Sequence, residues 1–142
     1  MNNFKKFFCV VLVALVMFSL MGCQPEVSGM SIPLSEEKKQ VINDAWKALY
    51  GHDLSWGGSG GCIYYGTYGD CIVFFEQGQL TSMTTISIAG QEFIHGWSFL
   101  LRVYRNGEFM YLEQAYEEGY ISRSQVKEIW EYHKSLNQRY YD

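Results

Sequence analysis

From residue 35 onward the apolar positions change period twice, from helical to alternating and back to helical, and this order predicts an α+β domain. Val41, Ile42, Ala45, Trp46 and Leu49 recur at helical spacing behind Ser35, an N-cap, and ahead of Gly51, a C-terminal stop. Glu36 and Glu37 occupy the first turn, where the helix dipole favours negative charge. Residues 62–68 and 71–75 are then dense in Tyr, Ile, Val and Phe around Gly69-Asp70, a two-residue hairpin turn with glycine first. Simple alternation from that turn sets Tyr68 opposite Cys71, Thr67 opposite Ile72 and Tyr65 opposite Phe74, with Cys62 near Gln77. Tyr64 and Tyr68 then share one face with Val73 and Phe75, and Tyr65 shares the other with Ile72 and Phe74.

Residues 81–88 and 91–95 predict two further strands around Ala89-Gly90. Residues 99–105 and 108–112 flank Asn106-Gly107, a type I′ hairpin signal that pairs Arg105 with Glu108, Val103 with Met110 and Leu101 with Leu112. One face of this pair is aliphatic, and the other carries Arg102, Tyr104, Phe109 and Tyr111. Residues 112–118 predict a short helix stopping at Gly119. Ser122 and Gln125 form a capping box, with Ile121 and Val126 as its hydrophobic staple. Val126, Ile129, Trp130, His133, Leu136 and Tyr140 mark one face of a final helix. The expectation is one helix, five or six antiparallel strands as hairpins, and two C-terminal helices packed with the first on a single sheet face.

The chain ahead of this domain is organised differently. Lys5 and Lys6 precede an uncharged apolar stretch over residues 7–20, shorter than the roughly twenty residues a spanning helix needs, which reads as a secretion signal. It closes on Leu20-Met21-Gly22-Cys23, which resembles the lipobox of bacterial lipoproteins, with Met21 at a position where smaller residues are commoner. The resemblance implies removal of residues 1–22 and a Cys23 that becomes the first residue, carries diacylglycerol and palmitate-type acyl chains, and anchors the protein on the extracytoplasmic face of the cell membrane. One acyl chain holds marginally and two or three hold durably. Residues 23–33, polar and with two prolines, read as a tether, and residues 34–142 as one domain. Tyr65-Gly66-Thr67-Tyr68, Gly107-Glu108-Phe109 and the run over 112–119 resemble a domain recurrent in secreted proteins and lipoproteins of Gram-positive gut bacteria. That family has no established activity, so the resemblance implies the address and the domain boundary and assigns no functional residue.

Loss of Lys5 and Lys6 moves the formal charge from −4 to −6, with no Lys/Arg block in what remains, which argues against nucleic acid as a partner. The composition is 48% hydrophobic and 17% aromatic, enough for a packed core. Cys9 leaves with the signal and Cys23 is acylated, so Cys62 and Cys71 remain as thiols. Placed far apart along one hairpin, roughly 20 Å at 3.3 Å per residue, they cannot reach the 4.4 to 6.8 Å separation of bridged cysteine Cα atoms.

The chemistry-bearing residues form no strong motif. Residues 57–61, Gly-Gly-Ser-Gly-Gly, lack the Lys-Ser/Thr of a phosphate loop, and no cofactor motif is present. Three scattered histidines, no Cys-x-x-Cys and no His-Glu-x-x-His argue against a metal site, and Glu92 and His95, three apart on a strand, face opposite ways. Glu36 with Glu37 and Glu117 with Glu118 lie at helix ends rather than across a cleft. A thiol-dependent hydrolase acting on cell wall or peptides would use Cys62, with His95 or His52 as base and Asp53 or Glu92 as orienting carboxylate. Against it, Cys62 opens a strand rather than a helix whose N-terminus would acidify the thiol, and a packed strand cysteine explains the residue as well. His133, on the apolar stripe, reads as a hydrogen-bonded core histidine. The remaining expectation is a non-enzymatic binding module whose aromatic hairpin, through Tyr64, Tyr65 and Tyr68, together with Trp56 beside the glycine loop, meets a protein or glycan. The competing reading buries that hairpin on both faces with the tyrosine hydroxyls at the rim.

Overall fold

A computed structural model describes residues 28–57, 61–77, 83–96 and 99–142. The signal and lipobox over 1–23, the centre of the glycine loop and the first residues expected of the third strand lie outside that set. The order is helix α1 (Glu36–Tyr50), strands β1 (Ile63–Tyr68), β2 (Cys71–Gln77), β3 (Thr84–Ile88), β4 (Gln91–His95), β5 (Phe99–Arg105) and β6 (Glu108–Tyr111), then helices α2 (Leu112–Glu117) and α3 (Arg123–Leu136). Short 3₁₀ turns cover Gly29–Ser31 and Gln138–Tyr140.

Local chemistry sets the ends of these elements. Ser35 Oγ accepts from Lys38 N and Gly51 takes the left-handed conformation at φ 78°, closing α1 at both termini. The Ser122–Gln125 capping box is complete. Asn106 and Gly107 both have positive φ, as do Ala89 and Gly90, the geometry of type I′ turns. The expected pairings of Arg105 with Glu108 and Val103 with Met110 are present, while Leu112 starts α2 instead of pairing with Leu101.

The six strands form two antiparallel sheets, not one. Four associate in the order β1-β2-β5-β6, and β3 with β4 forms a separate hairpin. Helices cover both faces of the larger sheet, which corrects the single-face expectation. β2 is apolar on both sides over Cys71–Phe75, so each face needs a cover. Cys71, Val73 and Phe75 join Leu101, Val103, Phe93, Leu112, Ala115, Val126 and Ile129 in one core, whereas Ile72 and Phe74 join Ile42, Trp46, Cys62 and Tyr104 in a second core under α1. Of the apolar stripe read on α1, only Ile42 and Trp46 are fully buried; Val41 and Leu49 are exposed. Leu136 on α3 is exposed as well.

The β1–β2 register departs from simple alternation. Tyr68, Thr67 and Gly66 pair with Cys71, Ile72 and Val73, but the next pairs are Tyr64 with Phe74 and Ile63 with Phe75, leaving Tyr65 as the extra residue of a β-bulge. Gly66, at φ 150°, supplies the conformation that an L side chain rarely adopts. The bulge exchanges the two tyrosines relative to expectation. Tyr65 goes to the core of Tyr68, Val73 and Phe75, and Tyr64 to the α1 side with Ile72 and Phe74.

The C-terminus seals the outer edge of β4. Tyr141 Oη accepts from Ile94 N at 2.7 Å and donates to Glu92 O at 2.9 Å, and Trp130 Nε1 donates to the same carbonyl at 2.7 Å.

Candidate functional site

The structure buries two of the three expected binding tyrosines, Tyr65 and Tyr68, and half-buries Tyr64. Tyr65 is 1% exposed and its hydroxyl meets His133 Nδ1 at 2.8 Å; Tyr68 is 4% exposed and donates to Glu128 Oε1 at 3.2 Å. Burial raises the pKa of both phenols. Tyr64 is half-buried and donates to Ile32 O at 2.6 Å, with Thr67 Oγ1 at the same distance. No aromatic strip is presented by these three, because two covered sheet faces absorb the apolar pattern that suggested one. Trp56 is half-buried with its ring 5.6 Å from that of Phe74, and its Nε1, buried, has no hydrogen-bond partner among the described residues.

A concave feature among the described residues lies at the end of the β1–β2 hairpin away from its turn. A cleft of about 210 Å³ is lined by Trp46, His52, Asp53, Leu54, Ser55, Cys62, Glu76 and Gln77. That is below the ~300 to 1,000 Å³ of sites for drug-sized ligands. Gly51 turns the chain back after α1, and Asn43 fixes the returning strand of chain. Its Oδ1 accepts from Leu54 N at 2.6 Å and its Nδ2 donates to Asp53 Oδ1 at 3.1 Å. Cys62 N then donates to Ser55 O at 2.6 Å and Gly57 N to Cys62 O at 3.0 Å, so the 55–57 segment runs beside the start of β1 as a short parallel bridge.

Cys62, His52 and Asp53 therefore share one cleft, yet their bonds are directed elsewhere. Cys62 is 5% exposed, and burial reinforced by the Glu76 carboxylate pushes its thiol up to about 12, the opposite of nucleophile activation. His52 contacts Tyr50 O through Nδ1 at 3.1 Å and Trp46 Nε1 through Nε2 at 3.4 Å. The indole can only donate, so Nε2 accepts and Nδ1 carries the proton, which leaves no free basic nitrogen for a thiol. Asp53 is engaged by Asn43 and sits 3.7 Å from Lys47 Nζ, and does not orient His52.

His95, the other proposed base, lies across the sheet from Cys62, its ring 4.7 Å from that of Phe75 and 5.7 Å from that of His133. Glu92 is exposed and contributes its backbone carbonyl to Trp130 and Tyr141. Cys71, on the His95 side, is fully buried with its thiol pushed up to about 11 by burial and by Asp70. Both cysteines are free. No group of three His, Cys, Asp or Glu side chains among the described residues could hold a metal.

Glu76 and Gln77, which the sequence did not single out, form the cleft wall opposite His52–Ser55. Their signal was the change from the apolar run of β2 to two polar residues at its end. Glu76 Oε2 accepts from Arg102 Nε at 3.1 Å, and the Arg102 guanidinium lies 4.5 Å from the Tyr111 ring, 5.4 Å from Trp46 and 5.8 Å from Tyr50. Each cleft carboxylate thus has a cationic neighbour, and the arrangement offers polar contacts over an apolar floor without a general acid–base pair. No family model, curated protein or solved structure matches this chain.

Proposed function

We propose that the protein is a lipid-anchored extracytoplasmic binding module, held in the membrane through Cys23, whose ligand, a protein segment or glycan, is taken at the cleft between α1 and the end of the β1–β2 hairpin. The observation that carries the choice of binding over catalysis is the state of Cys62: buried, with a raised pKa, and without a histidine nitrogen free to deprotonate it. The lipobox tetrad supports the anchor.

Three measurements test this reading. Cys23→Ser is expected to abolish acyl labelling and move the protein out of the membrane fraction; a variant still labelled and still sedimenting with membranes refutes the anchor. Iodoacetamide applied to the folded, reduced protein between pH 5 and 9 is expected to modify Cys62 and Cys71 slowly and comparably, and Cys62→Ala to cost only about 1 kcal/mol of stability. Selective alkylation of Cys62 with a midpoint well below 8 would transfer the assignment to a thiol-dependent hydrolase of cell wall or peptides.

A further inference from the structure

The stretch read as a tether is not free along its length. Gly29 is buried, and a Cβ there would stand 2.5 Å from the Tyr68 ring and 2.6 Å from Thr67 O, so the backbone itself is seated against the end of β1. Ser28 Oγ donates to Glu128 Oε1 of α3, the same oxygen that receives Tyr68 Oη. Ile32 O receives Tyr64 Oη at 2.6 Å. These contacts fasten residues 28–32 to β1 and α3 before α1 begins.

Four residues, 24–27, separate Cys23 from this clamp. Five residue steps at a maximum of about 3.6 Å reach roughly 18 Å, against roughly 36 Å if the chain were free as far as Pro33. A domain of this size has a radius of gyration of about 13 Å, so the shorter leash cannot let it turn over beside a bilayer and the longer one could.

The clamp and the cleft lie at opposite ends of the same hairpin. Tyr68, Gly69-Asp70 and, joined to Asp70 through an Asn106 Nδ2 hydrogen bond of 3.3 Å, the Asn106-Gly107 turn mark the clamped end. Cys62, Glu76 and Gln77 mark the cleft end, and the six residue steps from Cys62 to Tyr68 span roughly 20 Å of strand. Resting on the lipid-anchor reading, we infer that residues 28–32 are an orienting clamp: the lipid on Cys23 holds the turn end of the sheet toward the bilayer, and the cleft opens away from it to a ligand arriving from the aqueous side rather than to a membrane headgroup. With a formal charge of −6 and no basic block after the signal, adsorption to anionic lipid does not supply the orientation, which comes from the leash alone.

The test uses the mature protein acylated at Cys23 in phosphatidylcholine–phosphatidylglycerol vesicles containing a headgroup-linked energy acceptor. Donors are attached at Glu108→Cys, beside the clamped-end turn, or at Ser55→Cys on the cleft rim, with the buried Cys62 and Cys71 left unmodified. Transfer is expected to be clearly stronger from position 108 than from 55, and unchanged by salt. Inserting a Gly/Ser spacer of about twelve residues between Val27 and Ser28, which leaves the clamp intact and lengthens the leash, is expected to erase the difference. Equal transfer from both positions without the spacer, or stronger transfer from 55, overturns the orientation while the anchor stands. Absence of acyl chains on Cys23 with loss of vesicle flotation overturns the anchor and this inference with it.

Discussion

Lowering the pH from 7 to 4 is expected to remove about 3 kcal/mol of folding stability through His133 alone. The residue is fully buried, and burial, opposed by its hydrogen bond to Ile94 O and aided by nearby His95, pushes its pKa down from 6.5 to about 4. Ile94 O can only accept, so His133 Nε2 carries the proton across the 3.0 Å contact and Nδ1 accepts from Tyr65 Oη at 2.8 Å. The neutral ring therefore has a partner at each nitrogen. Above pH 6.5 folded and unfolded chains both hold His133 neutral and the residue contributes no pH dependence. As the pH falls below 6.5 the unfolded chain takes up a proton that the folded one refuses, so stability drops until about pH 4, where the folded state protonates as well. Acid acts on the fold through other groups as well, so the quantity to measure is a difference. Urea unfolding at pH 7 and pH 4 should show wild type losing about 3 kcal/mol more than His133→Gln, although the variant is the less stable of the two at pH 7 because glutamine cannot reproduce both hydrogen bonds. Equal losses in the two proteins would show that His133 is not held neutral in the fold.

That histidine illustrates what was legible beforehand. Its place on the apolar stripe of α3 marked it as a hydrogen-bonded core residue, because helical periodicity is set within a few residues of chain. The capping box at Ser122, the stop at Gly51 and the turns at Gly69-Asp70, Ala89-Gly90 and Asn106-Gly107 were legible for the same reason. Features that depend on distant partners were not. Whether β3–β4 joins the main sheet, and whether α1 and α3 share a face, is decided by pairings between segments far apart in the chain. The apolar residues at Val41 and Leu49 widened the stripe on α1 beyond the Ile42–Trp46 ridge that meets the sheet. The cleft was hidden because its walls come from the chain returning after α1 and from the polar end of β2, brought together by the 55–57 bridge to Cys62. The structure does gather His52, Asp53 and Cys62, the residues a thiol-dependent site would use, but Asn43, Trp46 and Tyr50 have no local signature as the partners that occupy Asp53 and His52.

The bulge at Tyr65 is the other feature that alternation could not supply, and it yields the second large effect. Gly66→Ala is expected to destabilise the domain by about 3 kcal/mol, whereas Gly69→Ala, a few residues along the same hairpin, costs about 1 kcal/mol. Both glycines have positive φ, at 150° and 62°, so both replacements carry backbone strain. The surroundings separate them. A Cβ at Gly69 meets nothing within 4 Å, while one at Gly66 stands 2.9 Å from the Tyr68 ring and 3.1 Å from the Gly29 carbonyl carbon. Tyr68 cannot swing aside cheaply, since it is buried and bonded to Glu128, and Gly29 cannot shift without disturbing the bond from Ser28 to the same carboxylate. The added methyl therefore strains the bulge and pries at the clamp together. Thermal or urea unfolding gives the two costs, and limited proteolysis near residues 24–29 reports the clamp. Gly66→Ala should be cut faster there than Gly69→Ala under conditions where both remain folded. Equal unfolding costs for the two variants, or a proteolysis rate unchanged from wild type in Gly66→Ala, would mean that residues 28–32 are not seated on the bulge, and would remove the contact that fixes the length of the leash.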